Sequence, residues 1–257
     1  MATITLLTDF GLADTYVGQV KGAILAIAPG ATLVDLTHAV TPQDVFGGAF
    51  LLWSAVEAFP RGTVHVAVVD PGVGSARRAI AIRCIRGDQF VGPDNGLLVP
   101  AVERLGGVEL AVELSESRYW RPKPSNTFHG RDIFGPAAGH LANGVPPGQL
   151  GREIEDPVLL KLPEPNGLDG EVIHVDTFGN LITNIPARAL PQRFEVRLQV
   201  RLQERRVVSG SHYAAVGRGE LIALVGSADL LELSARDASA AELTGAIRGT
   251  RVSVQPV

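Results

Sequence analysis

The hydrophobic and polar positions in the first half of the chain alternate between strand-like and helix-like patterns. Short apolar runs predict strands at 4–7, 32–36 and 64–69, and a hairpin at 79–85 and 89–91. Apolar residues at helical spacing predict helices at 17–28, 44–58, 97–105 and 131–143. This βαβ alternation favours a mostly parallel sheet flanked by helices, which is an α/β fold.

The pattern changes after a proline-rich stretch that begins at Leu162. The following segment contains few helix signals, and it predicts short strands at 170–175, 181–184, 194–200, 207–209, 221–225, 231–233 and 251–254. We therefore expect an N-terminal α/β domain at 1–161, a linker at 162–169 and a smaller C-terminal β-barrel domain at 170–257.

Composition narrows the class of protein. The 257 residues are 46% hydrophobic and 19% charged, with a net charge of −4, so a basic face for nucleic acid is not expected. A single cysteine, Cys84, excludes an internal disulfide. No apolar run approaches the roughly 18 residues that span a bilayer, and no signal peptide is recognisable. These features predict a soluble cytoplasmic protein without a membrane partner.

Polar clusters interrupt the apolar sequence where predicted strands end. They contain Asp9, His38, Asp70 with Arg77, and His129, and a further cluster at 176–180 lies in the C-terminal part. Loops that follow parallel strands open on one edge of the sheet, so the first four clusters can converge there.

Each cluster also has an alternative, purely structural interpretation. Asp9 could cap the following helix, His38 could be a hydrogen-bonded interior histidine, and His129 could bracket a helix start. Asp70 could belong to an Asp-Pro turn, and the segment 176–180 could be a hairpin turn. We interpret His65, His140, His174 and His212, which stand alone in the sequence, as non-functional.

Common metal-binding, nucleotide-binding and nucleophile motifs are absent from the sequence. It contains no His-Glu-x-x-His, no His-x-His and no Gly-x-Ser-x-Gly. The pair Gly72 and Gly74 lacks the third glycine and the following helix of a dinucleotide site. We therefore expect neither a metal nor a cofactor.

Six sequence blocks, in order, are similar to one known family. They are Thr8-Asp-Phe-Gly11, Asp35-Leu-Thr-His38, Val69-Asp-Pro-Gly-Val-Gly74, Gly92-Pro-Asp-Asn-Gly96, Phe128-His-Gly-Arg-Asp132 and Asp176-Thr-Phe-Gly-Asn180. Together they resemble the S-adenosylmethionine (SAM) hydroxide adenosyltransferase family, which is related to the SAM-dependent fluorinase and chlorinase. The resemblance runs nearly end to end.

The resemblance implies a homotrimer in which SAM binds between the N-terminal domain of one subunit and the C-terminal domain of its neighbour. It also implies the roles of eight residues. Asp9 would bind the ribose diol, Phe128 would form a wall near the ribose, Asp176 and Asn180 would hold the methionine end, Ser227 would lie near adenine, and Asp70, Arg77 and His129 would be the catalytic set.

The function implied by the resemblance is hydrolysis of SAM to adenosine and L-methionine by attack of water or hydroxide at C5′, with SAM as the substrate. A SAM-dependent halogenase is the nearest alternative, but halogenases have a tyrosine at the position of Asp70 and a tryptophan at that of Gln43. A non-catalytic SAM- or adenosine-binding protein and an unrelated structural α/β protein are further alternatives. Because Arg78 adjoins Arg77, the sequence leaves open which arginine reaches the site.

Overall fold

A computed structural model describes residues 2–257 of the chain. The chain forms two compact units, the first up to Lys161 and the second from Leu162 to Val257. Each unit has its own hydrophobic core. No helix among the described residues is long and apolar enough to cross a membrane.

The described part of the first unit is built on a six-stranded sheet. Its strands are β1 (Thr3–Thr8), β2 (Thr32–Thr37), β3 (Val64–Val68), β4 (Ala79–Cys84), β5 (Gln89–Pro93) and β6 (Val108–Glu113). Their order in the sheet is β2-β1-β3-β5-β4-β6. The pairs β2-β1, β1-β3 and β3-β5 are parallel, whereas β4 is antiparallel to β5 and β6.

Helices cover both faces of this sheet. They are α1 (Tyr16–Leu25), α2 (Val45–Ala55), α3 (Val99–Arg104) and α4 (Gly135–Ala142). Successive residues of a strand point to opposite faces, so Leu6 packs in the core shared with α1 and α4, and Leu7 packs in the core shared with α2 and α3. A parallel sheet buried on both faces explains the continuous apolar run of β3.

Residues 162–257, all of them described, form the second unit around a seven-stranded antiparallel sheet. Its strands are β7 (Asp169–Val175), β8 (Leu181–Pro186), β9 (Phe194–Val200), β10 (Gln203–Val208), β11 (Leu221–Val225), β12 (Leu230–Ala235) and β13 (Arg251–Pro256). The order is β10-β9-β13-β7-β8-β12-β11. A bridge between Ser209 and Ala223 joins the two edges, so the sheet is a nearly closed barrel around one core. The predicted α/β fold with a C-terminal β-barrel is confirmed.

Several elements differ from the sequence prediction. Strand β6 was not predicted, because its two acidic residues, Glu109 and Glu113, are four positions apart, a spacing that fits a helix as well as a strand. A short helix, α5 (Ala240–Thr244), also escaped prediction, although Ser239 caps it by accepting from the Glu242 amide. The helix predicted at 131–143 instead begins as a π-helical turn, Gly130–Phe134, that continues into α4.

Candidate active site

The order of strands around β1 marks the expected place of a ligand site. Strand β2 pairs with one edge of β1, and the next strand in the chain, β3, pairs with the other edge of β1. In open α/β sheets, ligands bind outside the carboxyl ends of the strands at such a reversal of order. Asp9 directly follows β1, and Asp70 follows β3 by two residues, so both carboxylates belong to this edge.

A cavity of about 560 Å³ opens at this edge. This volume lies within the range of about 300–1,000 Å³ that is usual for small-molecule pockets. Residues from four separate segments of the first unit line it, among them Asp9, Phe10, Tyr16, Gln43, Asp70, Pro71, Phe128, His129 and Arg131. The structure therefore brings together Asp9, Asp70, Phe128 and His129, which the sequence predicted to share a site.

Arg77 joins Asp70 to His129. Its Nε donates to Asp70 Oδ1 over 3.1 Å, and its Nη2 donates to Asp70 Oδ2 and, over 3.1 Å, to His129 Nδ1. The Asp70 and Arg77 side chains are only 5% and 8% exposed. The arginine also lies over the ring of Phe134, 5.4 Å from its centroid. A buried, bidentate ion pair of this kind holds both partners in one geometry.

These contacts fix the protonation state of His129. Guanidinium groups only donate, so Nδ1 of His129 must accept, and the proton of the neutral imidazole lies on Nε2. Burial, followed by the positive charge of Arg77, lowers the pKa of His129 below its ordinary value, which favours the neutral ring. Arg77 Nη1 is buried and has no hydrogen-bond partner within residues 2–257. Asp70 and His129 line the cavity, whereas Arg77 is not among its lining residues. The set therefore presents the Asp70 carboxylate and the His129 Nε2–H group to the cavity.

Arg78 has a different environment from its neighbour. Its Nε donates to Asp94 Oδ2 over 2.7 Å, and its Nη1 and Nη2 donate to the side chain and carbonyl of Asp156. Of the two arginines, Arg77 is therefore the one that contacts Asp70 and His129.

The turn between Asp70 and Arg77 is held against the loop that carries His129. Gly74 has a φ of +76°, and a β-carbon at this position would lie 2.4 Å from the carbonyl oxygen of Asn126. Only glycine satisfies both the left-handed conformation and this close approach. The two segments that carry the Asp70-Arg77-His129 set are thus packed directly against each other.

Asp9 does not cap a helix, which resolves one alternative left open by the sequence. The residue preceding α1 is Thr15, and the Asp9 Oδ2 instead accepts the backbone N–H of Gln43 over 2.9 Å. Gln43 adopts a left-handed φ of +66°, which is uncommon for a residue other than glycine. The Asp9 carboxylate keeps further lone pairs with which to accept hydrogen bonds from a ligand in the cavity.

Asp132 organises the loop that presents Phe128 and His129. This carboxylate is 1% exposed, and it accepts two hydrogen bonds from Arg131, one from Arg121 and one from the backbone N–H of Ser125. The π-helical turn at 130–134 places Asp132 towards the loop, and such turns are frequent at functional sites. Sequence reasoning did not single out Asp132, although it belongs to the block Phe128-His-Gly-Arg-Asp132.

Aromatic side chains form one wall of the cavity. The Phe128 ring packs edge-on against Tyr16 at 5.3 Å and against Phe10 at 5.9 Å between centroids, and Arg131 lies over its other side at 4.9 Å. Tyr16 is a lining residue that sequence reasoning missed, because a tyrosine at the start of a helix carries no specific signal.

In the second unit, Asp176 and Asn180 are bonded to each other. Asp176 Oδ1 accepts the backbone N–H groups of Phe178 and Asn180, and its Oδ2 accepts the side-chain amide of Asn180 over 2.8 Å. Gly179 has a φ of +81°, as a tight turn requires. The hairpin-turn interpretation is therefore correct for this segment, and the Asn180 backbone carbonyl accepts the N–H of Asp176. The turn also fixes two side-chain acceptors, Asp176 Oδ2 and Asn180 Oδ1. Ser227 is exposed in the turn between β11 and β12.

The described residues contain no group of three or more His, Cys, Asp or Glu side chains arranged to hold a metal ion.

Comparison with known proteins places these features in a family context. Residues 4–151 match the model of the SAM hydroxide adenosyltransferase N-terminal domain, and residues 170–253 match that of its C-terminal domain. The chain is 40% identical to an (R)-S-adenosyl-L-methionine hydrolase of Salinispora arenicola, covering 98% of this chain and 97% of that protein. It is 32% identical to a fluorinase of Actinoplanes sp., over 71% of each chain.

A solved structure shares the fold. An uncharacterized conserved protein from Thermotoga maritima superposes with a TM-score of 0.93 at 36% identity, covering 98% of this chain and 100% of that one.

Proposed function

Because this chain belongs to the SAM hydroxide adenosyltransferase family, we propose that it hydrolyses SAM to adenosine and L-methionine. The observation that carries the proposal is the buried Asp70-Arg77-His129 set, of which Asp70 and His129 line the cavity, in a chain 40% identical to a protein named (R)-S-adenosyl-L-methionine hydrolase. The reaction forms a bond from water oxygen to C5′ of SAM and breaks the C5′–sulfur bond. The electron pair of that bond returns to sulfur, and methionine leaves as a neutral thioether while one proton is released.

The leaving group determines what the protein must supply. A thioether needs no protonation as it departs, so the site requires an oriented oxygen nucleophile and a proton acceptor. The step as written needs no cofactor. Asp70 is the carboxylate that accepts the proton of water, and the positive charge of Arg77 beside it favours hydroxide.

The role of His129 follows from its tautomer. Since Nδ1 already accepts from Arg77, the ring offers Nε2–H to the oxygen of water or hydroxide, and it orients the nucleophile rather than receiving its proton. The Asp9 carboxylate accepts hydrogen bonds from the two hydroxyls of the ribose diol, and Phe128 covers the sugar.

The methionine end of SAM requires a different set of atoms. We assign its α-ammonium to two side-chain acceptors of the turn 176–180, Asp176 Oδ2 and Asn180 Oδ1. Ser227 is assigned to the adenine end. In a homotrimer these groups come from a neighbouring subunit.

Mixing two inactive variants tests such a shared site. Asp70→Asn and Asp176→Ala subunits, exchanged under mild denaturation, form mixed oligomers in which some sites receive one intact half from each subunit. We expect adenosine release to recover on mixing. If activity stays at the level of the separate variants while exchange is demonstrated by mass spectrometry, each site lies within one subunit.

Product analysis tests the reaction itself. The purified protein, before and after dialysis against EDTA, is incubated with SAM, and the products are separated and weighed by mass spectrometry. We expect adenosine and methionine in equal amounts, unchanged by EDTA, with consumption of the (R) sulfonium epimer named in the relative. Unreacted SAM with measurable binding would identify a non-catalytic binding protein.

A halogenase is the second candidate, and the fluorinase relative is the observation that favours it. Arg77 Nη1 is a buried N–H donor, and a halide ion accepts hydrogen bonds from such groups. Against it, a halide near this donor would approach the Asp70 carboxylate, and like charges repel strongly where water is excluded. Incubation with SAM and excess chloride decides between them, since 5′-chloro-5′-deoxyadenosine would identify a halogenase.

A further inference from the structure

A chain of polar contacts runs through His38 to the turn that carries Asp9. Thr8 Oγ1 lies 2.8 Å from His38 Nδ1, and His38 Nε2 lies 3.0 Å from Asp35 Oδ1. His38 is 4% exposed and Thr8 is 1% exposed. Asp35 in turn accepts from Lys21 Nζ over 2.6 Å. The hydrogen bond at Nδ1 and the carboxylate that faces Nε2 favour one orientation of this buried ring.

The direction of each hydrogen bond can be assigned. A carboxylate only accepts, so in the neutral form of the ring the proton lies on Nε2, the nitrogen that faces Asp35 at 3.0 Å. Nδ1 is then an acceptor, and the Thr8 hydroxyl donates to it while Thr8 Oγ1 accepts the backbone N–H of Phe10. Although partial burial opposes ionisation, the contacts with Lys21 and His38 lower the pKa of Asp35, which favours its carboxylate form.

The backbone around His38 completes the connection to Asp9. The carbonyl of His38 accepts the N–H of Gly11 over 2.8 Å, and the carbonyl of Thr8 accepts the N–H of Val40. Asp9 therefore lies between two residues, Thr8 and Gly11, that are both bonded to His38. The loop that begins at His38 also supplies the Gln43 N–H that Asp9 Oδ2 accepts.

We propose that His38 is a positioning residue that fixes the Asp9 carboxylate for recognition of the ribose diol. This rests on the proposed function, which places the ribose of SAM and of adenosine on Asp9. His38 itself is not among the residues lining the cavity, so it acts through the turn that it holds.

The chain offers a closely matched control in His65. This histidine is 0% exposed, its Nδ1 lies 2.7 Å from the hydroxyl of Thr5 on the same strand β1, and its Nε2 faces the carboxylate of Asp88 at 3.8 Å. Thr5 precedes Thr8 by three residues, a distance of about 10 Å along a strand. A substitution at His65 thus removes a similar buried Thr-His contact without touching the turn of Asp9.

Each of two conservative variants of His38 keeps one of its two side-chain contacts and removes the other. His38→Asn places an amide near the position of Nδ1, where it can still accept from Thr8, but it is too short to reach Asp35. His38→Gln reaches Asp35 and leaves Thr8 without its acceptor. Because the Thr8 contact holds the turn, the asparagine variant is expected to retain the ribose preference and the glutamine variant to lose it.

The experiment measures the ratio of the Kd of 2′-deoxyadenosine to that of adenosine by calorimetry, with thermal unfolding as a measure of stability. Loss of a hydroxyl that donates to a carboxylate predicts a ratio of about tenfold or more in the wild type. In His38→Gln the ratio is expected to fall to within about threefold of unity, the level also expected of Asp9→Asn. In the double variant that combines His38→Gln with Asp9→Asn, the ratio should fall no further. Both substitutions act through the same carboxylate, so their effects on the ratio are not additive.

The outcomes separate this proposal from the proposed function. His65→Gln is expected to lose stability and keep the wild-type ratio. A wild-type ratio in His38→Gln, with a reduced ratio in Asp9→Asn, overturns the role of His38 and leaves that of Asp9 intact. Equal loss of the ratio in His65→Gln and His38→Gln also overturns it, since the effect would be general destabilisation. An unchanged ratio in Asp9→Asn contradicts the proposed ribose site together with the inference built on it.

Discussion

Replacement of Asp70 by asparagine tests the catalytic set most sharply. The Asp70 and Arg77 side chains are 5% and 8% exposed, and the guanidinium donates to both carboxylate oxygens. Asparagine keeps the size of the side chain and one acceptor oxygen, but its amide N–H group faces a guanidinium N–H. The variant leaves the positive charge of Arg77 buried without its anion.

Two magnitudes follow from this geometry. Removing one partner of a buried ion pair costs about 3–5 kcal/mol of folding stability. Loss of the proton acceptor lowers kcat by about 10²–10⁴-fold, which corresponds to roughly 3–5 kcal/mol of activation free energy. Adenosine binding is expected to remain, because Asp9 lies on a different loop and contacts Gln43 rather than Asp70.

Asp94→Asn is the matched control for Asp70→Asn. Asp94 is likewise a buried carboxylate, 2% exposed in its side chain and paired with an arginine, the neighbouring Arg78, but it does not line the cavity. Stability is measured by urea unfolding, and kcat is measured from adenosine release at a temperature at which both variants are folded. We expect both to lose stability and only Asp70→Asn to lose turnover. Turnover within about threefold of wild type in Asp70→Asn, or equal losses in the two variants, would refute the assigned role.

Three further predictions concern other parts of the first unit. Burial and the charge of Arg77 lower the pKa of His129, so its NMR titration should give a value below 6.5, and a value at or above 6.5 contradicts the stated effect of burial and of Arg77. Asp132→Asn loosens the loop of His129 and should reduce kcat about tenfold or more, with adenosine affinity changed less; an unchanged kcat contradicts its role. Although burial opposes ionisation, the nearby His65 and two hydrogen bonds from Arg86 lower the pKa of Asp88 from 3.8 to about 2. As the pH falls, the Asp88 carboxyl group is therefore protonated in the unfolded state before it is protonated in the folded state. A stabilisation of the folded state of about 2 kcal/mol, present above pH 4, is lost as the pH falls to 2. Urea unfolding of Asp88→Asn should lack this loss, and an identical loss in the variant contradicts it.

The fold and the position of the site can be predicted because both depend on local patterns. Apolar runs that end in a carboxylate mark β1 and β3, and a parallel sheet brings the ends of such strands to one edge. Asp9 and Asp70, which follow these strands, are therefore identifiable from the amino-acid sequence alone. Their roles in binding and catalysis stay predictions until the variants are measured.

Contacts that depend on tertiary structure could not be predicted. Arg77 and Arg78 are adjacent in sequence, and what distinguishes them is the location of Asp70 and His129 on one side and of Asp94 on the other. The left-handed backbone of Gln43 and its N–H bond to Asp9 leave no mark in the sequence, because glutamine is not a residue that signals such a conformation.

The resemblance that linked the sequence blocks to a family did not show how Asp132 and His38 act. Asp132 accepts from two arginines and a backbone amide, and His38 connects Thr8 to Asp35. Both are buried polar residues of a loop, and only the folded chain shows which partners satisfy them.

The central claim is that water oxygen replaces sulfur at C5′ of SAM, and isotope transfer tests it directly. The protein is incubated with SAM in oxygen-18 water, and the adenosine formed is analysed by mass spectrometry with fragmentation to locate the label. The account predicts one heavy oxygen at C5′ in every adenosine released. Adenosine without the label, or a 5′-halogenated nucleoside in its place, would contradict it.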